Sequence, residues 1–105
     1  TGDLRQLLET RHRDPRAAMA IDVFCHSARK HIGAMAAVLG GLDHLVFTGG
    51  IGANSAEIRD EICAGLEHLG IRSDDPHAKC RVHAVATDEE LIIARHTTAI
   101  VLRRR

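Results

Sequence analysis

Residues 44–59 read HLVFTGGIGANSAEIR, and this stretch decides the fold. A short apolar run ends in closely spaced glycines, and the start of a helix follows at once. A buried strand, a tight glycine turn and a helix N-terminus, in this order, are how α/β proteins bring backbone N–H groups up to a nucleotide or a phosphate. The pattern therefore predicts an α/β fold with a nucleotide site at this turn.

The glycine turn excludes one nucleotide motif and leaves two other interpretations open. No Gly-Lys-Ser/Thr follows the glycines, so the turn is not a P-loop. A dinucleotide fingerprint fits poorly, because Ser55 replaces its third glycine and Asp74, the candidate ribose-binding acid, falls in a polar loop. Such a turn also forms simply where a chain must reverse tightly. Asn54 and Ser55, at the mouth of the helix, favour the nucleotide site over the plain turn.

The composition narrows the classes of protein that fit. A chain of 105 residues forms one domain at most. Its 14 basic and 14 acidic residues cancel, which gives no reason to expect nucleic acid or an anionic membrane as a partner. No apolar run approaches the roughly 18 residues that span a bilayer. The 3 cysteines form no C-x-x-C pair and the 8 histidines show no metal-ligand spacing, so we expect buried, reduced thiols in a cytoplasmic protein.

Sequence periodicity predicts helices alternating with strands. Asp14 and Pro15 are typical of a helix start, and the apolar stripe that follows stops at Gly40. Asn54 with Glu57, and Thr87 with Glu90, have the spacing of capping boxes. The predicted elements are a long helix over 15–39, a strand over 42–48, a helix over 56–69, a strand over 81–87 and a final helix over 88–102. Two strands make a small sheet, and the chain starts without a methionine, so we expect an incomplete domain cut from a longer protein.

Several segments together resemble one known family. Residues 45–59 are similar to the signature of the acetate kinase (acetokinase) family, which usually reads V-F-T-[AG]-G-I-G-E-N-S. Residues 2–5 resemble the family's S-x-D-x-R segment, and residues 87–95 resemble its closing T-[ND]-E-E-L-x-I-A. Residues 63–71 also match in kind and spacing. The resemblance extends over essentially the whole chain, with its motifs in the family's order.

The resemblance implies a fold and a reaction. The family transfers the γ-phosphoryl group of ATP reversibly to acetate or a similar short carboxylate, with Mg²⁺, and forms an acyl phosphate. Its fold consists of RNase H-like (actin/hexokinase-type ATPase) α/β domains with the nucleotide between them. Residues 1–105 would be the C-terminal fragment of the acetokinase nucleotide-binding domain, and full-length members tend to form homodimers.

The resemblance also assigns residues. It implies one segment that contacts the adenosine of the nucleotide, a second loop that contacts the nucleotide, and an acidic residue associated with magnesium. For that acid there is also a purely structural interpretation, because a glutamate in the first turn of a helix is favourable without any metal. The cofactor-binding residues would be Asp3, Leu4, Arg5, Gly50, Ile51, Gly52, Ala53 and Asn54, and the metal-associated residue would be Glu89. Ala53 departs from the family, which usually has glutamate there.

None of the family's catalytic residues matches a position in this chain, so we expect no kinase activity from it alone. The alternative to a fragment of a carboxylate kinase is a truncated, non-catalytic module that binds nucleotide or another protein.

Overall fold

The computed structural model describes residues 4–48, 55–85, 91–95 and 98–102. Within them the chain forms α-helices that pack beside a mixed β-sheet, the arrangement expected of an α/β protein. The helices are α1 (Leu4–Thr10), α2 (Pro15–Leu39) and α3 (Ala56–Cys63), and the strands are β1 (His44–Thr48), β2 (Arg81–Val85), β3 (Leu91–Arg95) and β4 (Thr98–Leu102). A 3-10 turn covers Glu67–Leu69.

The long helix α2 begins and ends where its sequence predicts. The Asp14 carboxylate accepts a hydrogen bond of 3.0 Å from the Arg16 N–H, and Pro15, which lacks an N–H, takes the first helical position. At the other end Gly40 has a φ of 77°, a left-handed conformation that glycine adopts without strain, and its N–H donates to the Ala36 carbonyl. Both predicted ends of this helix are confirmed.

Strands β1 and β2 form a parallel pair with α3 in the connection between them. Their register runs from His44 opposite Arg81 to Thr48 opposite Val85. Parallel strands need a crossover of this kind, because the chain must return to the same end of the sheet before the second strand can start. Strand β1 begins two residues later than predicted, and β2 is described as far as Val85.

The helix after the glycine segment is shorter than predicted. It ends at Cys63, because Ala64 is extended and Gly65 has a φ of 95°, so the helical hydrogen bonding stops there. The 3-10 turn, ended by Gly70, takes up part of the residues expected to be helical. The N-cap is Ser55, whose Oγ accepts a hydrogen bond of 3.2 Å from the Ile58 N–H, and not the predicted Asn54.

The prediction of a final helix over 88–102 is wrong for the part of it that the structure describes. Residues 91–95 and 98–102 are the antiparallel strands β3 and β4, and β3 pairs with the free side of β1, giving the sheet order β2-β1-β3-β4. Five of these ten residues are β-branched, and β-branched side chains fit a pleated surface better than a helix. An unpaired edge of β1 adds a tertiary reason for strand formation that local periodicity does not contain. The second predicted capping box falls at 87–90, outside the described residues.

The core is aliphatic and lies between β1 and the helices. Leu45 and Phe47 are buried and alternate with the partly buried His44 and Val46, so one face of β1 points into the core. The other members of the buried cluster come from the helices, from the turn before β1 and from the segment that leads to β2. They are Leu4, Ile21, Cys25, Ile32, Ala36, Leu42, Ile58, Ile62, Cys63, Leu66, Ile71 and Cys80. In the described part of the chain no helix is long and apolar enough to cross a membrane.

The cysteines behave as small apolar residues, as predicted. All of them are buried free thiols. Burial, which disfavours the thiolate, raises the pKa of Cys25 and of Cys80 to about 11 and that of Cys63 to about 12. Thiols held in this protonated state are poor nucleophiles and poor metal ligands at neutral pH.

Candidate functional site

The candidate site is the edge of the sheet at which the parallel strands end. Residues 49–54, the glycine segment, join the end of β1 to the start of α3 and lie outside the described residues. Because Thr48 and Val85 are register partners, the chain leaves β1 and β2 at the same edge. Ligands of open α/β sheets bind outside the carboxyl ends of the strands, so this edge is where the fold itself favours a ligand.

Thr48 is the last described residue before the glycine segment, and its hydroxyl is unusual. The residue is 2% exposed, yet its Oγ1 has no hydrogen-bond partner among the described residues. A buried hydroxyl without a partner costs about 1–3 kcal/mol. Buried polar groups are normally satisfied, so an orphan next to a proposed ligand loop is compatible with a partner that arrives with the ligand.

The start of α3 provides the other described boundary of the site. Ser55 has extended backbone dihedral angles and caps the helix through Ile58. The N-terminus of a helix has a partial positive charge that favours phosphate, but Glu57 in this first turn already supplies a negative charge.

Arg11 compensates that negative charge and fixes α3 to the loop between α1 and α2. Its guanidinium contacts the Glu57 carboxylate at 3.1 Å and the Glu61 carboxylate at 2.6 Å. The hydrogen bond to Glu61 raises the pKa of Arg11 above its usual value. Arg29 adds a hydrogen bond of 2.6 Å to the Glu61 carbonyl. The sequence did not predict these interactions of Arg11 and Arg29 with α3, because the partners are distant in the chain and no local pattern links them.

The predicted adenosine-side residues have contrasting environments. Leu4 starts α1 and is buried in the same hydrophobic cluster as Phe47 and Ile58, which lie at or near the elements that flank the glycine segment. Arg5, the next residue, is exposed. Asp3 lies outside the described residues, as do Gly50, Ile51, Gly52, Ala53, Asn54 and Glu89.

Asp74 lies beside the C-terminal half of α3, which argues against its role in a dinucleotide fingerprint. It lines a cavity of about 280 Å³ together with Asp60 and Cys63, which belong to the C-terminal half of α3. Ser73 donates a hydrogen bond of 2.8 Å to the Asp60 carboxylate in the same region. A ribose-binding acid is expected near the N-terminus of the helix that follows the glycines, not beside its C-terminal half.

The described residues contain no cluster of three or more metal-ligating side chains. Among residues 4–48, 55–85, 91–95 and 98–102 no group of three or more His, Cys, Asp or Glu side chains could hold an ion. Because Glu89 lies outside these ranges, its predicted association with magnesium stays a prediction.

Comparison with known proteins decides the family. The family model described as the acetokinase family matches residues 1–102. This chain belongs to the acetokinase family. It is 42% identical to the acetate kinase of Solibacter usitatus, over 97% of this chain and 29% of the relative. It is 47% identical to the acetate kinase of Treponema denticola, over 82% of this chain and 25% of the relative.

The structural comparison agrees with the family match. The crystal structure of Porphyromonas gingivalis acetate kinase superposes with a TM-score of 0.76 and 33% sequence identity, over 82% of this chain and 26% of that chain. This acetokinase chain therefore has the fold of part of an acetate kinase, and it spans between a quarter and three tenths of the length of these relatives. The predictions of family and of a partial α/β domain are confirmed.

Proposed function

We propose that residues 1–105 are the C-terminal, nucleotide-binding part of an ATP-dependent carboxylate kinase. Such an enzyme transfers a phosphoryl group from ATP to acetate or a similar short carboxylate and forms an acyl phosphate. The observation that carries the proposal is the acetokinase family match over residues 1–102, which includes the glycine segment between β1 and α3.

The topology around that segment supports nucleotide binding there. The segment follows the carboxyl end of a parallel strand and precedes a helix N-terminus, where backbone N–H groups are available to phosphate oxygens. The buried Thr48 hydroxyl adds a donor and an acceptor at the same edge. We assign nucleotide contacts to the glycine segment from Gly50 to Asn54, and contacts on the adenosine side to the segment from Asp3 to Arg5.

We assign Mg²⁺ to the same reaction, with Glu89 as its associated acid. Phosphoryl transfer relies on a metal ion and on positioned cations that neutralise the charge of the transferring group. The role of this chain in that chemistry would be to hold the nucleotide. Residues from the remainder of a full-length kinase would bind the carboxylate and supply the catalytic cations, so we expect no turnover by residues 1–105 alone. We also expect the complete protein to form homodimers, as the family resemblance implies.

Replacement of Gly52 by valine tests the nucleotide site. A side chain at this position would keep the backbone from approaching the ligand. Any complete form of the kinase that carries Gly52→Val should therefore lose Mg²⁺-ATP binding in isothermal titration calorimetry. Gly33→Ala is the matched control, since Gly33 lies within α2 and an added Cβ would meet no described residue outside its own helical turn within 4 Å. Unchanged affinity in Gly52→Val would remove the glycine segment from the site.

Acyl-phosphate formation tests the reaction separately. Hydroxylamine traps an acyl phosphate as a hydroxamate, so acetate and ATP should yield hydroxamate with a complete kinase and none with residues 1–105. Turnover by the 105-residue chain would contradict the assignment of catalysis to missing residues. ATP binding without turnover in every form of the protein would favour the non-catalytic module.

A further inference from the structure

Two histidines on neighbouring strands bring their ring nitrogens together on the sheet. His44 is on β1 and His83 is on β2, and the Nδ1 of His44 lies 3.1 Å from the Nε2 of His83. The ring centroids are 5.2 Å apart and the ring planes are tilted by 34°. The parallel register places His83 opposite Val46, two residues along β1 from His44, so both rings lie on the same face of the sheet. This face is opposite to the one that buries Leu45.

The separation of these nitrogens matches that of two ligands on one metal ion. With metal–nitrogen bonds of about 2.0–2.1 Å, two imidazole nitrogens lie about 2.9 Å apart at a right angle and about 3.3 Å apart in a tetrahedron. The observed 3.1 Å falls between these values. Without an ion, this contact requires one nitrogen to donate a proton to the other. With an ion, both facing nitrogens are unprotonated, and each neutral ring carries its proton on the opposite nitrogen.

Solvent can reach the pair, and the described residues around it provide no third ligand. His83 is exposed and His44 is partly exposed, so solvent reaches the pair. Among the described residues no third His, Cys, Asp or Glu completes a cluster, so the proposed site rests on these two imidazoles. Arg81, the register partner of His44, is exposed on the same face and its positive charge opposes cation binding.

We propose that His44 and His83 form a two-histidine site for a divalent first-row transition-metal ion. Imidazole ligands favour Cu²⁺, Ni²⁺ and Zn²⁺ over Mg²⁺ and Ca²⁺, which prefer oxygen. The Irving–Williams order makes Cu²⁺ the tightest of these ions. Because the ligands come from adjacent strands, the ion cross-links β1 to β2 and stabilises the folded chain over the unfolded one. This site is independent of the nucleotide and of the Mg²⁺ that accompanies it.

Calorimetry with CuCl₂, NiCl₂ and ZnCl₂ on the full chain tests the site. Loss of either imidazole converts a two-ligand site into a one-ligand site, so His44→Gln and His83→Gln should each weaken Cu²⁺ binding about a hundredfold. The matched control is the double variant H26Q/H31Q, which removes two exposed imidazoles of α2 that are five residues apart and so lie on different sides of the helix. The control should keep the tight site. Equal losses in both sets of variants would overturn the proposal.

Electron paramagnetic resonance of the Cu²⁺ complex gives a readout that does not depend on stability. The unmodified chain with one equivalent of Cu²⁺ should show hyperfine coupling to two imidazole nitrogens, and the exposed single variant His83→Gln should show one. A spectrum of the unmodified chain with a single nitrogen would overturn the two-histidine site. Arg81→Gln removes the opposing charge, so it should tighten Cu²⁺ binding; weaker binding would contradict the placement of the ion beside His44.

Discussion

Replacement of Thr48 by valine separates the stability of the fold from the function of the site. Valine has nearly the same shape and the same β-branched preference for strands, so the substitution removes the hydroxyl and little else. That hydroxyl is buried and has no partner among the described residues. Its desolvation costs about 1–3 kcal/mol, and we expect the free energy of unfolding of Thr48→Val to rise by about 1–2 kcal/mol.

Urea denaturation of the full chain measures this change. With a slope of about 1–2 kcal/mol per molar urea for a small domain, the midpoint should rise by about 1 M. The control Thr48→Ser keeps the hydroxyl but removes a buried methyl group, and it should lower the free energy of unfolding by about 1 kcal/mol. A lower midpoint for Thr48→Val would refute the reasoning, because it would mean that the hydroxyl is hydrogen-bonded in the folded chain.

The same variant has the opposite expected effect on the ligand. If the Thr48 hydroxyl is satisfied by the nucleotide, Thr48→Val should bind Mg²⁺-ATP about tenfold more weakly, since a lost hydrogen bond of about 1–1.5 kcal/mol corresponds to that factor. Calorimetry on the more stable variant measures this loss directly. Unchanged affinity together with higher stability would mean that the Thr48 hydroxyl is an unsatisfied polar group with no role in nucleotide binding.

Three further predictions concern the elements that support the site. Gly70→Ala should destabilise the chain by about 1–2 kcal/mol, because φ is 80° and an added Cβ would lie 2.9 Å from the Lys79 side chain. Gly33→Ala, within α2, should instead stabilise the chain by up to about 1 kcal/mol, and thermal melting compares the two variants. Arg11→Ala should lower the free energy of unfolding, measured in urea, by about 1 kcal/mol, because it removes the ion pairs to α3. The control Arg13→Ala removes an exposed side chain and should cause no such loss, so equal losses would exclude a stabilising role for the Arg11 ion pairs. The raised thiol pKa values favour the folded chain below the ordinary thiol pKa near 9, so stability should fall as pH rises from about 9 to about 12. Iodoacetamide should label the thiols at neutral pH only on unfolding, and rapid labelling of the native chain would contradict their burial. These thiols belong to Cys25, Cys63 and Cys80.

The elements that the sequence predicts well are those whose signals are local. Helix α2 carries a cap, a proline at its start and a glycine at its end, and these short-range signals locate both of its ends. Strand β1 is a continuous apolar run followed by glycines, which identifies it without reference to its partners. In both cases the information lies within a few residues of the element.

The C-terminal segment shows where local reasoning fails. Thr87 and Glu90 have a capping-box spacing that predicts a helix over 88–102, but the described part of this segment forms β3, which pairs with β1, and β4, which pairs with β3. The deciding interaction is long-range, because β3 uses an edge supplied by residues more than forty positions earlier in the chain. The site follows the same division, because the glycine segment is visible in the sequence. The ion pairs of Arg11, and the Thr48 hydroxyl that has no partner among the described residues, depend on contacts or burial that no short motif encodes.

The length of α2 sets an order of events for folding. Its 25 residues span about 37 Å and exceed the length of about 12–15 residues below which an isolated helix is marginal in water. Its packing partner α1 is adjacent in sequence, so this helical pair closes a short loop at small entropic cost. The pairing of β1 with β2 must instead wait for residues 81–85. We therefore expect the helical pair to form first and the strand-and-helix unit around the glycine segment to assemble in the slow step, so that variants in that unit change folding rates and variants in α2 mainly change its early helical content.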